Sequence, residues 1–255
     1  MSLREATGLL PRIGETLVVG ASGRSFADWT ALLAFGAVQW PWLLRSLHGG
    51  RPADKKALLE RLDLPADALP NLGSWKADVG LLTLLADHVL AHRPRLIVEF
   101  GAGASTLILA RALEIAGGGT LISFDQHSDF IEATGEWLAD YGLAADLRAV
   151  PLRPAPPGWP GLWYDHGPLP SDIDLMLIDG PPWTIHPLTR GGGASLFGHI
   201  APGGTVILDD AARPGERMIA RRWRRDWPDF DFRLWTGGTK GTLIGTREAI
   251  TPSCG

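Results

Sequence analysis

Short apolar runs alternate with longer segments of helical periodicity from about residue 75 onward. Because this alternation is typical of βαβ units, it predicts a mostly parallel sheet with helices on both faces. The predicted strands are 96–100, 120–125, 146–150, 173–179, 205–210, 230–236 and 240–246. The predicted helices are 76–92, 105–115, 129–141, part of 189–200, and 216–227.

The last two predicted strands are too close in the chain for a crossover helix between them. They should therefore pair antiparallel, as a hairpin around Gly237 and Gly238. The fold class that follows is α/β: a Rossmann-like, mostly parallel sheet of seven strands that ends in an antiparallel hairpin. The proline-rich segment 151–171 is too long for an ordinary βα connection, which predicts a functional or mobile loop.

Residues 1–74 lack the strand–helix alternation, which predicts a mainly helical N-terminal region ahead of a domain at 75–255. We expect this region to cap the cleft of the second domain or to form an interface between copies of the chain. Its uncharged stretch, 29–44, is shorter than the roughly 18 residues of a membrane span and contains Gln39 and Pro41. A buried or interfacial helix is the better interpretation.

The composition is that of an ordinary globular protein, with 45% apolar and 20% charged residues. A net charge of −4 offers no polycationic face for nucleic acid, and the arginines at 217–225 fit the solvated face of a helix. The single cysteine, Cys254, excludes an intramolecular disulfide, and no secretion signal is evident. We expect a cytoplasmic protein with neither nucleic acid nor membrane as a partner.

The segment EFGAGAST, residues 99–106, joins the first predicted strand to the next helix. Gly101 and Gly103 permit a tight turn and a close approach of a ligand to the backbone. The helix N-terminus then offers free N–H groups to an anionic group. A dinucleotide fingerprint requires glycine where Thr106 stands, which favours an amino-acid carboxylate over a pyrophosphate.

Asp125 ends the second predicted strand, next to the strand that leads into Gly101. Ligands of open parallel sheets bind at the carboxyl ends of the strands, so both residues should face one ligand. An acid at this place suits hydrogen bonds to the two hydroxyls of a ribose. The alternative is that Asp125 caps the following helix or stabilises a turn.

This order of strand, EFGAGAS, helix, strand and Asp, followed by IDGPP, LDDA and a terminal hairpin, resembles the class I S-adenosylmethionine-dependent methyltransferases over about residues 76–247. The resemblance implies a reversed last strand and methyl transfer to a small-molecule acceptor. It places Glu99, Gly101 and Gly103 at the methionine part of the cofactor and Asp125 at its ribose. The residues expected to bind the cofactor are Glu99, Gly101, Ala102, Gly103, Ser105, Thr106, Asp125, Gln126 and Asp179.

Acidic residues also end the fourth and fifth predicted strands, at Asp179 and at Asp209 and Asp210. Three carboxylates at adjacent strand ends suit Mg²⁺, and the pattern is similar to catechol-type O-methyltransferases. That similarity implies a hydroxyl acceptor whose pKa the metal lowers, with Asp179 and Asp210 in catalysis. The lysine that those enzymes carry shortly after the fourth-strand acid is absent. In the alternative, Asp179 and Asp209 cap helices or bind substrate without metal.

His186 is the predicted general base, because imidazole titrates near neutral pH and the residue lies on a loop that should overhang the cleft. The alternative is a surface histidine without a catalytic role. Trp163, Tyr164, Asp165 and Trp183 could form an aromatic wall over the nucleoside or the substrate, although each tryptophan could equally serve packing.

Two other functions compete with methyl transfer. An NAD-linked oxidoreductase would use a similar sheet, but Thr106 and the terminal hairpin argue against it. A non-catalytic protein could retain the fold for binding a cofactor or a partner. The sequence favours a methyltransferase for small-molecule oxygen, with nitrogen as a less favoured acceptor, Mg²⁺ as a candidate second cofactor, and homo-oligomers formed through the N-terminal region.

Overall fold

A computed structural model of the chain describes residues 25–69, 72–73 and 76–249. Cys254 and residues 1–24 of the predicted N-terminal region lie outside these ranges. The helices are α1 (Phe26–Val38), α2 (Trp40–Ser46), α3 (Pro52–Arg61), α4 (Val79–His92), α5 (Ala104–Ala116), α6 (Ser128–Ala139) and α7 (Pro214–Asp226), with a 3₁₀ segment at Thr189–His199. The strands are β1 (Leu96–Phe100), β2 (Thr120–Asp125), β3 (Asp146–Ala149), β4 (Leu152–Pro154), β5 (Leu162–Tyr164), β6 (Ile173–Ile178), β7 (Ile200–Leu208), β8 (Phe230–Trp235) and β9 (Thr242–Arg247).

Seven strands form one sheet in the order β3-β2-β1-β6-β7-β9-β8. All neighbours are parallel except β9, which pairs antiparallel with both β7 and β8. The predicted α/β fold with a terminal antiparallel hairpin is therefore confirmed. The strand order reverses between β1 and β6, so the crevice for a ligand lies at the carboxyl ends of these two strands.

The two faces of the sheet carry separate apolar cores. One core packs α4, α5 and α6 on the sheet and includes Leu81, Leu85, Leu107 and Ile108. The apolar side chains between residues 58 and 69, at the end of α3 and after it, belong to this same core. The predicted boundary near residue 74 therefore runs through one hydrophobic core, because α3 buries its apolar side against α4.

The opposite core lies beneath α7, the 3₁₀ segment and the strands β4 and β5. The sequence predicted a loop at 151–171, but β4 and β5 pair there as an antiparallel hairpin. The sequence also predicted a helix within 189–200, and this segment is 3₁₀ instead. Gly191 and Gly192 allow this segment to approach the rings of Trp159 and Trp163 closely.

The segment 29–44 forms parts of two helices, α1 and α2, that meet at Gln39. No residue of α1 is buried, and its apolar side chains Phe26, Leu33 and Val38 are exposed. This finding differs from the prediction of a buried helix, while an interface between copies of the chain stays a prediction. Among the described residues, no helix combines the length and apolar character needed to cross a bilayer.

Candidate functional site

The glycine loop after β1 is packed between the ends of β2 and β6. Gly101 donates its N–H to the carbonyl of Phe124 at 2.8 Å, and its φ of 105° lies in the left-handed region. A Cβ on this residue would lie 2.9 Å from the backbone nitrogen of Gly180. Glycine is required at position 101 because the loop must turn there and the ends of β1 and β6 touch.

Glu99 lies fully buried beneath this loop. Its Oε2 accepts hydrogen bonds from Thr106 Oγ1 at 2.6 Å and from Ser123 Oγ at 2.5 Å. Burial raises the pKa of Glu99 to about 7, although hydroxyl donors, among them that of Ser105, oppose the rise. Its Oε1 has no hydrogen-bond partner within the described part of the chain. The second oxygen is therefore available to a ligand.

Thr106 joins this glutamate to the loop above it. The hydroxyl that donates to Glu99 also accepts the N–H of Gly103 at 2.8 Å. A glycine at position 106 would supply neither contact. Thr106 therefore fixes the loop by a side-chain hydrogen bond. Next to the loop there is open space, since a Cβ added at Gly103 would contact no other residue.

Asp125 ends β2 beside the loop and is almost fully buried. Its Oδ1 accepts the N–H of His127 at 2.8 Å. Burial raises the pKa of Asp125 to about 7, against the backbone N–H groups of His127, Ala102 and Gln126. Because the loop residue Ala102 reaches Asp125, the loop and the acid share one edge of the sheet, as the sequence predicted. The N-cap of α6 is His127 and not Asp125, whereas the bond from the N–H of His127, two residues on, is the contact expected of a turn aspartate.

Gln126 completes this part of the site. Its Oε1 is buried, and the described residues offer it no hydrogen-bond partner. The structure thus brings the predicted cofactor-binding residues of β1 and β2 together, with unused acceptors on two of them. Their roles in binding stay predictions.

Three carboxylates meet at the ends of β6 and β7. One oxygen each of Asp179, Asp209 and Asp210 lies within 4.8 Å of the others. Arg190, on the 3₁₀ segment, joins two of them, with Nη1 at 3.0 Å from Asp210 Oδ2 and Nη2 at 3.3 Å from Asp179 Oδ1. We call these three aspartates the acid cluster.

Two further cations contact the acid cluster from other elements. Lys240 Nζ lies 3.5 Å from Asp209 Oδ2 and 3.6 Å from Asp210 Oδ1. Arg213 Nη1 lies 2.9 Å from Asp210 Oδ2. The three carboxylates therefore face three cationic side chains inside the protein.

The charges within the acid cluster move its pKa values in opposite directions. Burial alone would raise the pKa of Asp210, but Arg213, Lys240 and Arg190 together hold it well below its usual range. Burial raises the pKa of Asp209 well above its usual range, despite Lys240. Burial also raises the pKa of Asp179. Asp210 is therefore a fixed anion, and its catalytic role stays a prediction.

Asp179 differs from its two neighbours in access to solvent. Its side chain is 12% exposed, whereas that of Asp210 is 3% exposed and that of Asp209 is fully buried. A molecule in the crevice can thus reach Asp179. The other two aspartates lie behind it.

His186 has an environment that does not suit the predicted general base. Its Nδ1 accepts the N–H of Leu188 at 3.0 Å, so a neutral ring carries its proton on Nε2. This Nε2 lies 3.9 Å from Asp28 Oδ1 on α1. The ring therefore lacks a free nitrogen lone pair to accept a proton from a substrate, and it links α1 to the loop after β6.

Arg190 and Lys240 were not identified from the sequence. Arg190 follows a proline-rich stretch and Lys240 lies in the turn between β8 and β9, and neither position belongs to a recognisable motif. The lysine that catechol-type enzymes place after the fourth-strand acid is absent, yet Lys240 brings an ammonium group to the acid cluster from a different element. Only the order of strands in the sheet reveals this proximity.

Comparison with known proteins agrees with the fold. Residues 98–211 match the family described as a methyltransferase domain. A methyltransferase structure from Geobacter sulfurreducens is similar at 19% identity and a TM-score of 0.52, covering 76% of this chain and 87% of that one. An O-methyltransferase from Bacillus cereus is similar at 15% identity and a TM-score of 0.51, covering 78% and 92%. The Podospora anserina methyltransferase PaMTH1 is similar at 14% identity and a TM-score of 0.51, covering 89% and 98%. No curated protein matches the sequence.

The fold and the matched domain define a class I methyltransferase of the Rossmann-like type. This chain carries that domain and is an S-adenosylmethionine-dependent methyltransferase. The resemblance inferred from the sequence is thus confirmed. The NAD-linked oxidoreductase and the non-catalytic binding protein are not supported.

Proposed function

We propose that the protein methylates an oxygen atom of a small organic acceptor, and that Asp179 takes the proton from the acceptor hydroxyl. The observation that carries this proposal is the position of Asp179, at the carboxyl end of β6 and accessible where its two neighbours are not. The Bacillus cereus neighbour is described as an O-methyltransferase, which agrees with this choice of acceptor atom.

The residues around the glycine loop fit the cofactor. The free oxygens of Glu99 and Gln126 accept hydrogen bonds, and Asp125 suits a pair of ribose hydroxyls. When bound, S-adenosylmethionine supplies a methyl group already activated on a sulfonium. The protein must therefore hold the acceptor in line and remove its proton.

Asp179 has the properties of a base for a weakly acidic hydroxyl. Burial raises the pKa of its carboxyl group and so strengthens it as a proton acceptor. Arg190 holds the carboxylate in place through Asp179 Oδ1 and through the backbone carbonyl of the same residue. The guanidinium also contacts the carbonyls of Pro181 and Asp209, so its position is fixed by the fold.

The acid cluster does not fit a divalent cation. With all three aspartates ionised, Arg190, Arg213 and Lys240 already balance their charge. The neighbouring carboxyl group of Glu216 is also buried, and burial raises its pKa to about 7, so it adds little negative charge below that pH. An added Mg²⁺ would leave a net positive charge in a buried site, which is unfavourable at low dielectric. We therefore propose transfer without Mg²⁺. In this proposal the side-chain cations, and not a metal ion, balance the charge of Asp179, Asp209 and Asp210.

Calorimetry and a substrate screen test the function. We expect the protein to bind S-adenosylhomocysteine, and a panel of phenols, catechols and carboxylic acids to yield O-methylated product by mass spectrometry. Turnover should be the same with EDTA as with added Mg²⁺. Absence of cofactor binding, or methylation of amines alone, would overturn the proposal.

An Asp179→Asn variant tests the proton acceptor. The amide keeps the size of the side chain but accepts no proton, so we expect turnover to fall by about 10²–10⁴-fold. Binding of S-adenosylhomocysteine should change little. Asp231→Asn, an exposed residue on β8, is the matched control and should retain full turnover. Turnover by Asp179→Asn equal to that of the wild type would exclude this residue as the base.

A further inference from the structure

The hairpin of β4 and β5 places two aromatic side chains against the sheet. Trp163 and Tyr164 are buried, with ring centroids 5.1 Å and 5.4 Å from that of Phe100 on β1. This hairpin occupies much of the connection between β3 and β6. The tyrosine ring packs against the rings of Phe100 and Trp163, so its hydroxyl has a defined position.

The hydroxyl of Tyr164 lies at the point where the strand order reverses. Its oxygen occupies the space that a Cβ on Gly180 would need. Gly180 in turn touches Gly101, since a Cβ on Gly101 would lie 2.9 Å from the Gly180 nitrogen. The phenol oxygen therefore lies beside the glycine loop, at the carboxyl ends of β1 and β6.

This hydroxyl is buried and has no hydrogen-bond partner among the residues that the structure describes. A buried hydroxyl without a partner costs free energy, so its presence in a site calls for an explanation. Burial and the charge of Asp125 raise the pKa of Tyr164 well above its usual range. The group therefore keeps its proton and serves as a hydrogen-bond donor.

We propose that Tyr164 binds the cofactor, with its hydroxyl donating a hydrogen bond to an oxygen of bound S-adenosylmethionine. The inference rests on the proposed function and extends the cofactor site to a residue of the hairpin. The donor lies among the acids Glu99, Asp125 and Asp179, which themselves accept hydrogen bonds. Tyr164 thus supplies an O–H donor at the edge where those side chains supply acceptors.

The test is calorimetric binding of S-adenosylhomocysteine to Tyr164→Phe. We expect the Kd to rise about tenfold, because a rise of this size corresponds to the loss of one hydrogen bond to a buried ligand. The melting temperature of the ligand-free variant should equal or exceed that of the wild type, because the deleted hydroxyl has no partner. Tyr141→Phe changes the only other tyrosine of the chain and should leave the Kd unchanged.

Methylthioadenosine, which lacks the amino-acid carboxylate, identifies the oxygen concerned. If the variant loses affinity for both ligands, Tyr164 contacts the ribose; if it loses affinity only for S-adenosylhomocysteine, Tyr164 contacts the carboxylate. Unchanged affinity for both ligands overturns the inference, and a lower melting temperature with unchanged affinity assigns the hydroxyl to structure instead. A wild-type protein that binds neither ligand refutes the proposed function itself, a result distinct from a defect confined to Tyr164→Phe.

Discussion

At the scale of the residue, Thr106 shows how one hydroxyl replaces a glycine of a nucleotide-binding loop. It bridges Glu99 Oε2 and the N–H of Gly103, so the loop has a fixed shape before any ligand binds. The sequence located this residue as the departure from a dinucleotide fingerprint. It gave no sign of the bridge, because the hydrogen bond depends on how the helix turns over the end of β1.

Replacing Thr106 by valine tests this bridge. The variant keeps the shape of the side chain but leaves the N–H of Gly103 without its acceptor. We expect the free energy of unfolding to fall by about 1–3 kcal/mol in urea denaturation, with weaker binding of S-adenosylhomocysteine. Thr106→Ser restores the hydroxyl and should recover both properties. Equal stability of the valine and serine variants would contradict the bridge.

Glu99 and Asp125 make ligand binding depend on pH. The pKa of each carboxyl is raised to about 7, so both carry protons over part of the neutral range. A raised pKa for an acid means that its contribution to folding stability is full below the unfolded pKa, 4.5 for Glu99, and is lost as the pH rises through about 7. A ligand whose hydrogen-bond donors bind the ionised forms of Glu99 and Asp125 favours those forms. The two carboxyl groups therefore release protons when the ligand binds.

We therefore expect S-adenosylhomocysteine to bind more tightly at pH 8 than at pH 6. Because the carboxyl groups lose protons on binding, the measured heat near pH 6.5 should differ between phosphate and imidazole buffers, whose ionisation enthalpies differ. Glu99→Gln removes one titrating group and should reduce this difference. A heat that is the same in both buffers would show that neither acid loses a proton.

At the scale of the element, the strands were the most predictable part of the molecule. Their apolar runs are long enough for burial on both faces, as in β1 and β6. The hairpin of β4 and β5 was missed because each strand has three residues, too few for a pattern. The 3₁₀ segment was predicted as helix, whereas its consecutive glycines serve the close approach of tryptophan rings.

Helix α1 contacts the loop that follows the proposed base, Asp179. Asp28 faces His186, and a Cβ on Gly36 would lie 3.7 Å from the ring of Trp183. Both partners lie on the loop that follows Asp179. The helix therefore borders the loop beside the proposed base, and the capping role of the N-terminal region stays a prediction.

Gly36→Leu tests this border. The added side chain presses on Trp183, and we expect kcat/KM for an acceptor found in the substrate panel to fall about tenfold, because misplacing a reactant slows transfer steeply. The Kd of S-adenosylhomocysteine should not change. Ala37→Leu, an exposed neighbour on the same helix, is the control. Equal kcat/KM values for the two variants would place the acceptor elsewhere.

At the scale of the whole molecule, Asp78 connects parts that are distant in the chain. Its Oδ1 accepts the N–H of Leu81 at 2.7 Å and so caps α4. Its Oδ2 accepts from the N–H of Thr239 at 2.5 Å and from the hydroxyl of the same residue at 2.7 Å. Lys240, next in the chain, donates to the carbonyl of Lys76 and reaches the acid cluster. One carboxylate thus joins α4, the terminal hairpin and the site.

Removal of this carboxylate by Asp78→Ala should lower the free energy of unfolding by about 3 kcal/mol, because a helix cap and several buried hydrogen bonds are lost together. We also expect reduced turnover, since Lys240 depends on the same turn. Urea denaturation measures the first effect, and exposed Asp67→Ala serves as the control. A loss below about 1 kcal/mol, no more than a cap alone contributes, would show that the link to the hairpin has little effect.

The sequence predicted the sheet, the glycine loop and the acids at strand ends, because these features repeat in local patterns. It did not predict Arg190, Lys240 or Asp78 as partners. Arg190 contacts Asp179, 11 positions away, and Lys240 contacts the carbonyl of Lys76, 164 positions away. Such pairings follow from the order of strands in space, and local periodicity carries no information about them.

The position of β9 has a consequence for how the chain is made. This last strand lies inside the sheet, between β7 and β8, although it is synthesised after both. While residues 242–247 are still within the ribosome, β7 exposes an unsatisfied edge and the end of β8 has no neighbour on the inner side. Lys240 likewise reaches the acid cluster only when the hairpin closes. The sheet of a nascent chain therefore stays incomplete until residues 242–247 emerge, and until that point its exposed edge is open to chaperones or to another copy of the same sequence.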